Sequence, residues 1–142
     1  MEVVTSTDGD NERGFQYKSS GNQVIAQSVT IGSTGFNLCA VEPMVRENSA
    51  TSGDILIDIC ADNTDKPGTI LATVTIPASA TTSTHQYIKG YLSSALALSA
   101  NTKYWFMYSS NTSGDTNFLK IDYTTPTYTG GTLKESTDNL VT

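Results

Sequence analysis

His85 is the only histidine in the 142-residue chain, so any chemistry that needs an imidazole must use it. A Ser-His-Asp arrangement requires a hydroxyl beside that base and a carboxylate behind it. His85 follows the Ser/Thr-rich stretch Ala78 to Thr84 and opens a strand-like run, where an exposed turn histidine is expected. No serine stands out from its neighbours, and no Gly-x-Ser-x-Gly occurs. Glycoside hydrolysis needs two carboxyls across a cleft, one with its pKa raised by burial. Asp54, Asp58, Asp62, Asp65, Asp115 and Asp122 fall instead at turns or on the outward phase of strand-like runs, as solvated acids do. The sequence therefore predicts a non-enzymatic protein with no catalytic residues.

Metal ligation has two partial candidates. Asp8, Asp10 and Glu12 place carboxylates at every second position, as in part of a calcium loop. They lack the glycine and distal glutamate of a full loop. Asp62, Asn63 and Asp65 form a second oxygen-rich group. No other cofactor is expected, and zinc would need more ligands than Cys39, Cys60 and His85. Cys60 shares an outward phase with Asp58, whereas Cys39 is in phase with Val41 and reads as inward. Cysteines on opposite faces do not meet disulfide geometry, so two free thiols are expected.

Binding chemistry centres on Tyr104, Trp105, Phe106 and Tyr108. Trp105 points opposite Tyr104 and Phe106. Its indole could stack on a sugar, or pack under a loop or against another subunit. Leu56, Cys60 and Leu71 form an apolar trio on the outward phase of their strands, a candidate interface. Asn111-Thr-Ser113 is a glycosylation sequon.

The elements that must position these residues are strands. Ile55, Ile57 and Ile59 alternate with Leu56, Asp58 and Cys60. Ile70, Ala72, Val74 and Ile76 alternate with Leu71, Thr73 and Thr75. Between the two runs, Asp62 to Gly68 is rich in turn formers, with Pro67 fixing φ and Gly68 available for positive φ. Further strand-like runs cover 14–18, 23–31, 36–44, 85–92, 103–108, 117–123 and 132–136, and 94–100 reads as extended. Pro43 marks an edge position or a strand end. Polar loops are expected at 46–53 and 111–116. About eight to nine short strands with turns between them predict an all-β, antiparallel β-sandwich or barrel. A polar arm is expected over residues 1–20, with a single β-sandwich domain over 21–142.

Charged residues make up 15% of the chain and the net charge is −6. Nucleic-acid binding relies on Lys and Arg to neutralise phosphates, and the eight basic residues here are scattered singly. No apolar run is long enough for a membrane helix. The N-terminus has neither a basic region nor an apolar core of a signal peptide, so synthesis and folding in a cytoplasm are expected.

Five segments carry a resemblance: Ala26-Gln-Ser-Val-Thr-Ile, Gly53-Asp-Ile-Leu-Ile-Asp-Ile, Asp65-Lys-Pro-Gly-Thr-Ile-Leu-Ala, Ala97-Leu-Ser-Ala-Asn-Thr-Lys-Tyr-Trp and Tyr128-Thr-Gly-Gly-Thr-Leu. Together they resemble a jelly-roll β-sandwich module found in bacteriophage and other virus structural proteins and in bacterial extracellular proteins. The chain departs from that pattern at Asp65, where the family often has Gly, and at Val29, where it usually has Phe. The resemblance implies a virion surface protein, foremost a bacteriophage capsid decoration protein that binds the major capsid protein and stabilises the shell. It also implies a homo-oligomer, a trimer; the polar arm over residues 1–20 is the candidate docking element. The alternative is a receptor-binding, head-fibre or carbohydrate-binding domain that recognises host glycan through Trp105 and the loops at 46–53 and 111–116.

Overall fold

The computed structural model describes residues 2–3, 11–17, 23–48, 53–111, 117–121 and 133–136. The described residues form twelve strands: β1 (Glu2–Val3), β2 (Asn11–Phe15), β3 (Val24–Thr30), β4 (Phe36–Val41), β5 (Met44–Glu47), β6 (Ile55–Asp62), β7 (Pro67–Ile76), β8 (Gln86–Tyr87), β9 (Gly90–Leu98), β10 (Lys103–Ser110), β11 (Asn117–Ile121) and β12 (Leu133–Ser136). One 3-10 turn, Ala78–Ala80, follows β7. The chain is an all-β sandwich, as the alternation of its sequence predicts.

One layer is a five-stranded sheet of order β12-β3-β10-β6-β7, antiparallel throughout. The other consists of a four-stranded sheet, β2-β11-β5-β8, and a three-stranded sheet, β1-β4-β9. These two are halves of one bent ribbon. β4 runs into β5 across Glu42 and Pro43, while β8 runs into β9 across Ile88 and Lys89. The Ile88 N–H donates to the Pro43 carbonyl at 3.0 Å and holds the bend together. Pro43 has no N–H for a ladder, so the break falls there. The strand then resumes at Met44, inside a stretch whose polar residues predict a loop from Arg46. Burial of Val45 in the core explains the difference.

The main core lies between the layers. Ile55, Ile57 and Ile59 of β6 meet Tyr104, Phe106 and Tyr108 of β10, with Ile25, Leu38, Val41, Val45, Val74, Ile76 and Leu98 around them. Phe15 of β2 is fully buried there and its ring lies 5.9 Å from that of Tyr108. Two pieces of the 1–20 stretch thus pair within the sheets, β1 parallel to β4 and β2 antiparallel to β11. Gly90 permits close approach of the layers. A Cβ there would sit 2.4 Å from Val74 Cγ1 and 3.1 Å from Ile76 Cγ1.

The β6–β7 hairpin turns differently from expectation. Positive φ falls at Thr64 (52°) and Asp65 (63°), and Asn63 N–H donates to the Lys66 carbonyl at 2.8 Å. Two consecutive positive-φ residues match the twist of the flanking strands, the geometry of a type I′ turn. Gly68 lies in β7 instead, where a Cβ would meet Asn63 Cβ at 2.8 Å. Its role is close packing against the turn.

Candidate functional site

Two faces point away from the core, and they differ. On the five-stranded sheet, Trp105 is paired with Ser28 on β3 and Cys60 on β6. With Val24, Ala26, Cys60 and Met107 it forms a second apolar cluster. Trp105 is 0% exposed within the single chain. Its indole N–H donates to Asp62 Oδ1 at 2.7 Å. Of the readings the sequence leaves open for Trp105, packing within the fold, not an exposed stacking platform, matches this burial. Buried indoles need a hydrogen-bond acceptor, and Asp62 supplies it.

The predicted apolar trio is divided by the same geometry. Cys60 is buried in that cluster, and Leu56 is half-buried opposite Thr75. Leu71 is 42% exposed and its neighbour Ile70 46%. Register shifts on either side of Cys60 place Ile70, rather than an outward residue, opposite it. An extra residue in one strand of a pair breaks the alternation, so Ile70 leaves the inward phase of Ala72, Val74 and Ile76. A register shift between Leu38 and Ala40 has the same effect on Cys39, which is exposed. The two cysteines therefore exchange their expected places, Cys60 inside and Cys39 outside, and both are free thiols.

The carboxylates at the turns are engaged locally. Asp62 Oδ2 accepts from the Asp65 N–H at 3.5 Å, and Lys103 Nζ lies 3.0 Å from Asp65 Oδ1. That hydrogen bond, with the nearby charges of Asp65 and Asp62, raises the Lys103 pKa above its usual 10.5. Asp58 is buried, contrary to its solvated reading, and accepts from the Thr73 hydroxyl at 2.7 Å. Asp54 and Asn111 bond reciprocally. Asp54 N–H donates to Asn111 Oδ1 at 2.9 Å, and Asn111 Nδ2 donates to Asp54 Oδ2 at 3.1 Å. Asn111 thereby ties β10 to the start of β6. Among the described residues no three His, Cys, Asp or Glu side chains gather as metal ligands. Asp8, Asp10, Asp115 and Asp122 lie outside the described residues; the backbone of Glu12 pairs with Lys120, and its side chain is not described. His85 is half-buried rather than exposed.

The other outward face carries the candidate site. Ile88 and Leu92 pack on the main core, and Gly90 faces Val74 and Ile76. Alternation then sets Tyr87, Lys89 and Tyr91 on the opposite side of the β8–β9 ribbon. Tyr91 is 70% exposed and Tyr87 44%. Tyr87 is paired with Met44 and Tyr91 with Ala40, so both sit on the bent ribbon that joins the two smaller sheets. Exposed tyrosine rings with a charged group between them can cover the apolar face of a flat ligand while hydroxyl and ammonium reach its polar rim. Sequence reasoning did not single out Tyr87 or Tyr91; the alternation of Ile88, Gly90 and Leu92 was the signal that could have pointed to them.

No helix among the described residues is long and apolar enough to cross a membrane. No protein-family model matches the chain, and no curated protein matches it. Among solved structures it is similar to the carbohydrate-binding module CsCBM6-3 from Clostridium stercorarium, determined in complex with cellobiose. Identity is 13% and the TM-score 0.41, over 86% of this chain and 98% of that one. Similarity at that level identifies no shared site.

Proposed function

We propose that the chain is a non-enzymatic, glycan-binding β-sandwich. The observation that carries this reading is the pair of exposed rings Tyr87 of β8 and Tyr91 of β9, with the half-buried Lys89 between them. Carbohydrates present apolar faces fringed by hydroxyls, and an exposed tyrosine offers both a ring and a polar edge. A glycan array with the wild-type chain and with Tyr91→Ala tests the reading. Reproducible binding that Tyr91→Ala removes, at unchanged melting temperature, supports it. Binding unaffected by that change moves the site elsewhere, and an array without hits sinks the proposal.

A virion setting is the second reading, and the exposed Ile70–Leu71 pair on edge strand β7 favours it. There the chain, as a trimer, decorates a capsid by binding the major capsid protein and stabilises the assembled shell only. Substituting Leu71 with Asp should then weaken capsid association without unfolding the protein, read by the mass of purified particles. Docking through the N-terminal arm is tested by deleting residues 1–10, with the melting temperature measured alongside because this also removes the short strand β1 from β4. Removing 1–20 would also take Phe15 from the core and confound the result.

A further inference from the structure

Resting on the glycan reading above, we infer that the strip binds a linear, ribbon-like oligosaccharide along the strand direction, engaging two sugar units separated by one. Tyr87 and Tyr91 are the two exposed rings on one side of the β8–β9 ribbon. They are four residues apart, with Ile88 and Lys89 forming the bend between β8 and β9, so at most about 13 Å separates them, which accommodates two pyranose lengths of about 5 Å each. Glycans whose successive units are flipped present the same face at every second unit. Two rings on one side of a strand match that repeat, whereas a single sugar or a branched tip can cover only one of them.

The surroundings fit an extended ligand. β8 and β9 are edge strands of their sheets, so no strand of the same sheet rises beyond them to block a chain lying lengthwise. Residues 93–95 of β9 are exposed, and their register shift against β4 carries that part of the strand away from the ladder. A ligand passing Tyr91 therefore meets Ser93 and Ser94, whose hydroxyls can bond to sugar hydroxyls. Lys89 lies between the rings at the position of the intervening unit, which turns its edge toward the protein.

Calorimetric titration with linear β-1,4-glucan and β-1,4-mannan oligosaccharides of two to six units tests this. Affinity should rise at least about tenfold between the disaccharide and the tetrasaccharide, then level off. Tyr87→Ala and Tyr91→Ala should each reduce tetrasaccharide affinity to about that of the disaccharide, with melting temperatures unchanged. Full-strength binding of a disaccharide, with one tyrosine dispensable, overturns the two-ring inference and leaves the glycan reading standing. Array hits confined to branched or terminal sugars overturn it in the same way. No binding to any glycan overturns both.

Discussion

The two outward faces of the sandwich both carry aromatic residues in alternating strands, yet one is interior and the other is surface. On β10, Trp105 is sealed among Val24, Ala26, Cys60 and Met107, and its polar handle is spent on Asp62. On β8–β9, Tyr87 and Tyr91 keep their rings in solvent. An aromatic residue on the outward phase of a strand therefore says nothing by itself about ligand binding. Its burial, and whether its polar atom already has a partner in the fold, distinguish the two uses.

The sharpest way to break this contrast is a pair of alanine substitutions. Trp105→Ala should cost about 3–5 kcal/mol, the range for truncating a large buried aromatic. Tyr91→Ala should change stability by less than about 0.5 kcal/mol, as surface substitutions do. Chemical denaturation of both variants measures this, and equal losses would erase the distinction. Gly90→Ala comes next. It lies one residue from Tyr91 but faces Val74 and Ile76, and overpacking there should cost about 1–3 kcal/mol. A neutral outcome would mean the layers can separate at that point.

Asp62 sharpens the buried side. Asp62→Ala leaves the indole N–H without its acceptor and should cost about 1–3 kcal/mol, while Asp62→Asn keeps an amide oxygen and should recover most of it. Equal effects of the two would show that the hydrogen bond contributes little. A stabilising change is expected at the turn. Thr64 is β-branched at φ 52°. Thr64→Gly relieves about 1–2 kcal/mol of left-handed strain, offset by up to about 1 kcal/mol of glycine chain entropy, so a small rise in melting temperature should follow. The smallest effect concerns Lys103. Its pKa is raised by Asp65, so the contribution is fully present below about pH 10.5 and is lost as pH rises through the higher folded value. The pair is exposed and screened by salt. Lys103→Met should therefore lower stability slightly across the neutral range and abolish the small decline above pH 10.5, so that variant and wild type converge at high pH.

The sandwich itself was legible because burial imposes a period of two. The isoleucines of β6 and the aromatics of β10 declare the core without tertiary information, and turn formers bracket them. What the sequence could not declare was interruption of that period. Ile70 and Cys39 both sit at register shifts, and each lies on the side opposite to its expected one. Such a shift depends on how one strand pairs with another, which no single run of residues encodes. The position of the turn had a similar cause. Gly68 and Pro67 are the strongest local punctuators, but the pairing of Asp62 with Pro67 moved the reversal back to Thr64 and Asp65. The Tyr87–Tyr91 strip was not singled out from the sequence: the alternation of Ile88, Gly90 and Leu92 sets the two tyrosines on the outward side, but nothing in it reveals how far they stand in solvent.

The place of β10 between β3 and β6 has a consequence for how the protein is made. β6 and β7 are consecutive in sequence and joined by a tight turn, so they can zip together as soon as both leave the ribosome. β3, made earlier, finds its neighbours only in β10 and β12. Its Val24, Ile25 and Ala26 must therefore wait for the later part of the chain, and closure of such distant pairs is slow. During that interval the nascent chain carries an unpaired apolar strand, which makes β3 the segment where a chaperone would act and where crowding would first cause misassembly.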